Sequence, residues 1–329
     1  MRSHLPLVGL ALLLLAGCAV PQDDRPREEP PPGEKATFPE GIYYRTPLTA
    51  SPAAALSRIG GGAPGATLPP GGFDLRPDLL VSPHPEGLLL VDARGRATVL
   101  PVPGLHAIAR PSLSPDGTRA LVQATTIEPR GGPSQNLDVF VVNLSTGAFE
   151  RVSDAPENDE SPEWFPDGTR VAYSTFSPET GVTLRVRDLA ARREVLAVPD
   201  AGAIHLAVSR DGARVLEPGR ARILNASTGE ILADLRAALV AAAAQAGYVP
   251  DERFQGQANR GTFPLDGDFS PDGRFLVFDG AVRRGAEHGV VLFRVAADGS
   301  GFEVLTPLLP ADPSFSNGHN YSQTNPRWI

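Results

Sequence analysis

The sequence predicts an all-β chain. The expected fold is a β-propeller of four-stranded blades, five of them recognisable, closed by the C-terminal strand in the first blade and interrupted by one short helical insertion. Three observations carry this. An Asp-Gly hairpin signature recurs four times, a second hairpin follows each recurrence, and the chain ends on an isolated copy of the strand that opens each unit.

The signature reads Ser114-Pro115-Asp116-Gly117, Phe165-Pro166-Asp167-Gly168, Ser209-Arg210-Asp211-Gly212 and Ser270-Pro271-Asp272-Gly273. An arginine follows within two residues each time, then a β-rich run such as Ala120-Leu121-Val122 or Phe275-Leu276-Val277-Phe278. Asp-Gly between apolar alternations marks a tight hairpin, because both residues tolerate positive φ. The second hairpins are Val139–Val142 with Phe149–Val152, Leu184–Val186 with Val195–Val198, Ile223-Leu224 with Ile231-Leu232, and Val290–Val295 with Phe302–Leu305. Gly-to-Gly steps of 51, 44 and 61 residues, with four strands per unit, fit propeller blades.

An incomplete unit lies upstream. Leu79–Val81, Leu88–Val91 and Ala97–Leu100 supply three strands and lack the first. Asn325-Pro326-Arg327-Trp328-Ile329 supplies a first strand with nothing after it, so the tail is expected to complete that unit and remove unpaired edges. A sixth blade could be built partly from residues 38–72, where Ser51–Ile59 reads as a short helix and Gly60–Gly72 as a loop. The propeller is therefore assigned to 75–329, after an N-terminal extension, partly irregular, over 38–74. Leu235–Ala246 is alanine-rich, with Leu235, Leu239, Ala242 and Ala246 at helical spacing and a stop at Gly247. This helix over about 235–247 either caps one face or serves as a docking element.

The Ser-Pro-Asp-Gly strand repeats resemble the WD40-like PD40 repeats of TolB-type β-propellers. The resemblance covers 75–329 and implies the fold without fixing an activity.

The N-terminus reads as an address. Arg2 precedes an apolar run, Leu5 to Ala16, too short for the roughly 20 residues a membrane-spanning helix needs. It ends in Leu15-Ala16-Gly17-Cys18, which resembles the lipobox of bacterial lipoproteins, and Cys18 is the chain's sole cysteine. Residues 1–17 are thus expected as a lipoprotein signal peptide, Cys18 as the lipid attachment site and 18–37 as a proline-rich, charged tether. Ala19 after the cysteine leans towards the outer membrane. The expected setting is an exported, lipid-anchored protein on the periplasmic or surface face.

Composition narrows the partners. The net charge is −8 and Lys35 is the only lysine, so a duplex nucleic acid partner is disfavoured and a Walker A loop is excluded. One cysteine excludes an internal disulfide. There is no G-x-S-x-G or H-E-x-x-H, and His4, His84, His106, His205, His288 and His319 show no ligand spacing. Asp266–Gly273 departs from a calcium loop with Pro271 at its sixth position and Val277 at its twelfth, and Gly60, Gly62 and Gly65 lack the preceding strand of a dinucleotide site. No metal or cofactor is expected.

Aligning the first strands on their turns gives rows. Leu113, Trp164, Val208, Phe269 and Trp328 are apolar. Three residues earlier stand Arg110, Ser161, His205, Asp266 and Asn325; one residue before the apolar row stand Ser112, Glu163, Ala207, Asp268 and Arg327. Innermost strands line a propeller's funnel, so Arg110, Ser161, Glu163, His205, Asp266, Asp268 and Asn325 are the candidate binding residues. They either face a ligand or satisfy one another in a narrow channel. The function expected is a non-catalytic, monomeric binding or scaffold module for an envelope protein, peptide or glycan. The alternative is a hydrolase or lyase using Glu163, Asp266 and Asp268. A funnel plugged by Trp164, Phe269 and Trp328 would favour the scaffold.

Overall fold

The computed structural model describes residues 38–47, 54–61, 67–69, 71–127, 136–153, 155–201, 205–251, 263–310 and 326–329. Cys18 and Asn325 lie outside them. The described residues form a six-bladed β-propeller. Blade 1 holds β1 (Ile42–Pro47), β2 (Ala54–Arg58) and β3 (Thr67–Leu68); blade 2 holds β4 (Asp74–Leu75), β5 (Leu79–His84), β6 (Gly87–Asp92) and β7 (Ala97–Pro101). Blade 3 runs β8 (His106–Leu113), β9 (Arg119–Thr125), β10 (Asp138–Asn143) and β11 (Phe149–Arg151). Blade 4 runs β12 (Asn158–Trp164), β13 (Arg170–Ser177), β14 (Gly181–Asp188) and β15 (Arg193–Val198). Blade 5 runs β16 (Ala207–Val208), β17 (Arg214–Glu217), β18 (Arg222–Asn225) and β19 (Ile231–Asp234). The helix α1 (Arg236–Gln245) precedes blade 6, which comprises β20 (Val249–Pro250), β21 (Gly267–Phe269), β22 (Phe275–Arg284), β23 (Glu287–Ala296), β24 (Glu303–Val304) and β25 (Leu309–Pro310). The last strand, β26 (Arg327–Trp328), returns to blade 1.

Three expectations are corrected here. The tail closes the ring in the first blade, but that blade is 42–68: Trp328 pairs with Ile42 and Arg327 with Tyr43. The 79–100 unit has its own first strand, Asp74–Leu75, paired to Leu80 and Val81. The Ser51–Ile59 segment contains no helix among its described residues. Ala54–Arg58 is a strand zipped to β1 from Ala54↔Pro47 to Arg58↔Tyr43, with Ala54 and Leu56 buried on one face. Ladder pairing and that alternation override the helix preference of alanine.

Six hydrophobic clusters hold the ring, one at each junction. Tyr43 and Leu56 meet Leu75 and Leu80 between blades 1 and 2. Val81 and Leu88 meet Phe140 and Val142 between blades 2 and 3. Leu121 and Val139 meet Trp164 and Val171 between blades 3 and 4. Phe165 and Leu184 meet Val215 and Leu224 between blades 4 and 5. Leu216 and Ile223 meet Phe278 and Phe293 between blades 5 and 6. Ile42 meets Val277 and Leu292 between blades 6 and 1. Each blade thus buries both faces, the arrangement a sheet hydrophobic on both sides requires. Leu235, just before α1, and Leu239 within it are buried in the blade 5/6 cluster as the stripe predicts, but further along Ala243 is buried where Ala242 was expected and Ala246 is exposed.

The repeated turns are built alike. Gly117 N–H donates to Ser114 O (2.9 Å), and Asp116 Oδ1 accepts the Thr118 N–H (3.1 Å) and the Ser114 hydroxyl (2.5 Å). Gly117, Gly168 and Gly212 all sit at φ +68° and Gly273 at +66°, where a side chain is strained. In two of the repeats the arginine after the turn then clamps the next blade. Arg119 donates to Gly168 O (3.2 Å) and covers the Trp164 ring at 4.7 Å. Arg214 donates to Gly273 O (3.0 Å) and covers the Phe269 ring at 5.1 Å.

Candidate functional site at the propeller axis

The first strand of each blade sends one side chain into an inner row: Asp74, Ser112, Glu163, Ala207, Asp268 and Arg327. Three members of this row tie their blade to the next. Asp74 Oδ2 accepts the Leu113 N–H (2.6 Å), Ser112 Oγ accepts the Trp164 N–H (3.2 Å), and Asp268 Oδ2 accepts the Trp328 N–H (2.9 Å). A side chain of one blade thereby satisfies the apolar-row backbone of its neighbour. Asp74 was not reached by sequence reasoning. The signal was available: Leu75-Arg76-Pro77-Asp78 has the frame of Leu113-Ser114-Pro115-Asp116 but lacks the glycine.

Two arginines cross the axis. Arg327 of blade 1 meets Glu163 of the opposite blade 4, Nη1 to Oε1 at 2.7 Å, and lies 3.5 Å from Asp74. The Ser112 hydroxyl donates to the other Glu163 oxygen at 2.7 Å. Arg110 of blade 3 meets Asp266 of the opposite blade 6 at 3.3 Å and His205 of blade 5 at 2.9 Å. Arginine has only donors, so His205 Nε2 must accept, which places the ring proton on Nδ1, facing Asp266 Oδ2 at 3.2 Å. His205 is therefore neutral, and burial followed by the Arg110 charge pushes its pKa down. Burial alone would raise the Asp266 carboxyl, but His205 and Arg110 more than offset it and hold the group well below the usual range.

The Arg327 level has an excess of carboxylates. Asp74, Glu163 and Asp268 surround one guanidinium. Burial pushes Glu163 up to about 7, against the opposing pull of Arg327, and burial also raises Asp268. Arg327 in turn is held charged by the three acids and Asp266.

The backbone at this level is bent on purpose. Gly72, Arg110 and Ser161 occupy the same place in blades 2, 3 and 4, at φ +89°, +51° and +55°. The ladder slips between Ala109 and Ser112 and between Glu160 and Glu163. Such bulges re-aim side chains, and a left-handed non-glycine residue costs roughly 1–2 kcal/mol. Arg110 is steadied by its N–H to Gly71 O (2.8 Å), Ser161 by its N–H to Gln123 Oε1 (2.9 Å).

Of the candidate residues, the structure thus brings Arg110, His205 and Asp266 into one cluster and Glu163 into a second. Asp268 sits beside the second, bound to the Trp328 and Phe269 N–H groups. Ser161 is buried with its hydroxyl unpartnered. The aromatic plug is not observed. Trp164 packs between blades 3 and 4, Phe269 between blades 5 and 6, and Trp328 stacks on Phe275 at 6.5 Å. Ion pairs fill the axis instead. Among the described residues no group of three or more His, Cys, Asp or Glu is arranged to hold a metal ion, and no helix is long and apolar enough to cross a membrane.

No family model and no curated protein matches this sequence. Solved structures do. The crystal structure of TolB from Acinetobacter baumannii superposes with a TM-score of 0.55 at 18% identity, over 88% of this chain and 66% of that one. This chain therefore spans just under two thirds of that protein's length. The structure of a protein described as TolB from Agrobacterium tumefaciens gives a TM-score of 0.53 at 13% identity, over 89% of this chain and 99% of that one. The chain has a TolB-like β-propeller fold.

Proposed function

We propose that this protein is an exported, lipid-anchored β-propeller of the cell envelope, acting as a non-catalytic scaffold that engages a protein, peptide or glycan through one face of the ring. One observation carries the scaffold reading: opposite blades are bolted across the axis by Arg327–Glu163 and Arg110–Asp266. Carboxylates that would serve a hydrolase are committed to guanidinium, hydroxyl or backbone donors, and removing them would leave buried charge uncompensated. A rigid, internally satisfied ring suits presentation of a surface. The anchor rests on Cys18 and the leader before it.

The test uses the full chain with its leader in a bacterial host. Processing should be blocked by globomycin and lost in Cys18→Ser; unchanged processing rules out the anchor. Photo-crosslinking in envelope extract should then capture a defined partner, with no turnover of glycoside or peptide panels. Turnover that vanishes in Glu163→Gln or Asp268→Asn would replace the scaffold with a hydrolase or lyase.

A further inference from the structure

The outer edges of the blades differ in how they are protected. An open strand edge templates pairing with another chain, and charged residues normally blunt it. In blade 3, β11 carries Glu150 and Arg151; in blade 4, β15 carries Arg193 and Glu194; in blade 6, β24 carries Glu303. In blade 5, β19 reads Ile231-Leu232-Ala233-Asp234, and Ile231 and Leu232 stand 51% and 50% exposed. Two consecutive large apolar residues are thus left open on the rim. β19 pairs only with β18 and ends the blade 5 sheet, so its other edge is unpaired among the described residues. The strand is held firmly from behind: the Leu235 N–H donates to Ala221 O (2.8 Å), and Glu230 O accepts the Asn225 N–H (2.8 Å).

The charges at its two ends are opposite. Glu230 is exposed just before β19, and Arg236 is exposed just after it, as the first residue of α1. Arg236 donates to Gly219 O (3.0 Å), and neither side chain has an ion pair among the described residues. Asp234, between them, is already occupied: it accepts the Arg236 N–H (3.2 Å) and faces Arg222 Nε at 3.7 Å. An antiparallel copy of the strand reverses this order and sets Glu230 against Arg236 at both ends. A foreign strand of a single charge sign would satisfy one end and oppose the other.

We propose that β19 joins a second copy of this chain edge to edge, antiparallel about a two-fold axis, with Ile231 and Leu232 covering their counterparts and Glu230 of each copy on Arg236 of the other. Such an interface is isologous: one patch complements itself, and both ion pairs form together. Helix α1, which begins two residues after β19, extends the uncharged surface with Ala237, Ala238, Ala241 and Ala244, all exposed. Four residues of strand per copy make a small contact, so the dimer is transient and grows with concentration. The monomer expected from the sequence is then the dilute form. The inference goes beyond the scaffold reading, and it holds whether or not the protein is lipidated.

The test is photo-crosslinking of the full chain in a bacterial host, with benzoylphenylalanine placed at Leu232 or, as a control, at Val195, the exposed apolar residue of β15. Leu232 should give a crosslinked homodimer, identified by mass spectrometry, at least tenfold more abundant than that from Val195. Glu230→Arg should reduce it roughly tenfold or more, because like charges then meet at both ends, and Arg236→Glu should do the same. Combining the two substitutions in one chain should restore the homodimer, a recovery that misfolding cannot produce. Equal homodimer from both positions, crosslinks from Leu232 into other proteins only, or a double variant as poor as the single ones would overturn the proposal. None of these results bears on capture of a partner by one face of the ring, so the scaffold reading stands or falls separately.

Discussion

Glu163 shows how one residue reports the chemistry of the axis. Its carboxyl is pushed up to about 7 by burial, well above the ordinary value of 4.5. The folded state therefore binds a proton more tightly than the unfolded chain, and stability is highest below about pH 4.5 for this group and falls as pH rises towards 7. At 1.36 kcal/mol per pH unit the loss is on the order of 3 kcal/mol. Asp159, raised to about 6 by burial, acts in the same window and direction. Asp116 opposes them at low pH: the Ser114 hydroxyl and the Thr118 N–H hold it at about 2, so its contribution disappears only as pH drops from about 4 towards 2. Glu163→Gln keeps a polar group for Ser112 and Arg327 but cannot ionise. Melting temperature measured from pH 5 to 8 should decline less steeply in this variant than in the wild type. Parallel slopes would show that Glu163 does not titrate in that range.

At the scale of the element, the Asp-Gly turn does two jobs that a pair of glycine substitutions separates. Gly117 has φ +68° and open space where a Cβ would stand, so Gly117→Ala meets only backbone strain, about 1 kcal/mol. At Gly273, φ +66°, the same Cβ would come within 2.1 Å of Arg214 Nη2. Gly273→Ala therefore also displaces the clamp on the Gly273 carbonyl and the Phe269 ring, and should cost about 2 kcal/mol or more. Equal urea midpoints for the two variants would mean that the clamp contributes nothing. These turns are also why so much of the ring was legible. Ser-Pro-Asp-Gly fixes register, chain reversal and the following strand together, and from the polar rows counted back from it Arg110 meets Asp266 and Arg327 meets Glu163. Where the signature is incomplete, legibility fails. Asp74–Leu75 precedes Arg76-Pro77-Asp78 without a glycine, so blade 2 seemed to lack a strand. Ala54–Arg58 owes its conformation to the ladder with β1, a long-range pairing that local alanine content cannot express.

For the whole molecule, what could not be counted in advance was parity. With six blades, blade 1 faces blade 4 and blade 3 faces blade 6, and only then do Arg327 with Glu163, and Arg110 with Asp266, become partners. The last four residues concentrate three kinds of closure. Arg327 and Trp328 pair with β1, Trp328 N–H binds Asp268 of blade 6, and Ile329 joins the blade 1/2 cluster. Deleting Pro326–Ile329 removes all three and strands Asp74, Glu163 and Asp268 without their guanidinium, a loss of several kcal/mol. Arg327→Met keeps the strand and the apolar stem and removes only the charge. The deletion should lower Tm by several degrees, the shift per kcal/mol shrinking as chain length grows. Arg327→Met should lower it less, and chiefly above pH 7, where Glu163 is ionised and unpaired. If the two variants melt alike at every pH, the ring is sealed by the axial charge alone; if the deletion melts like the wild type, the tail does not seal it at all.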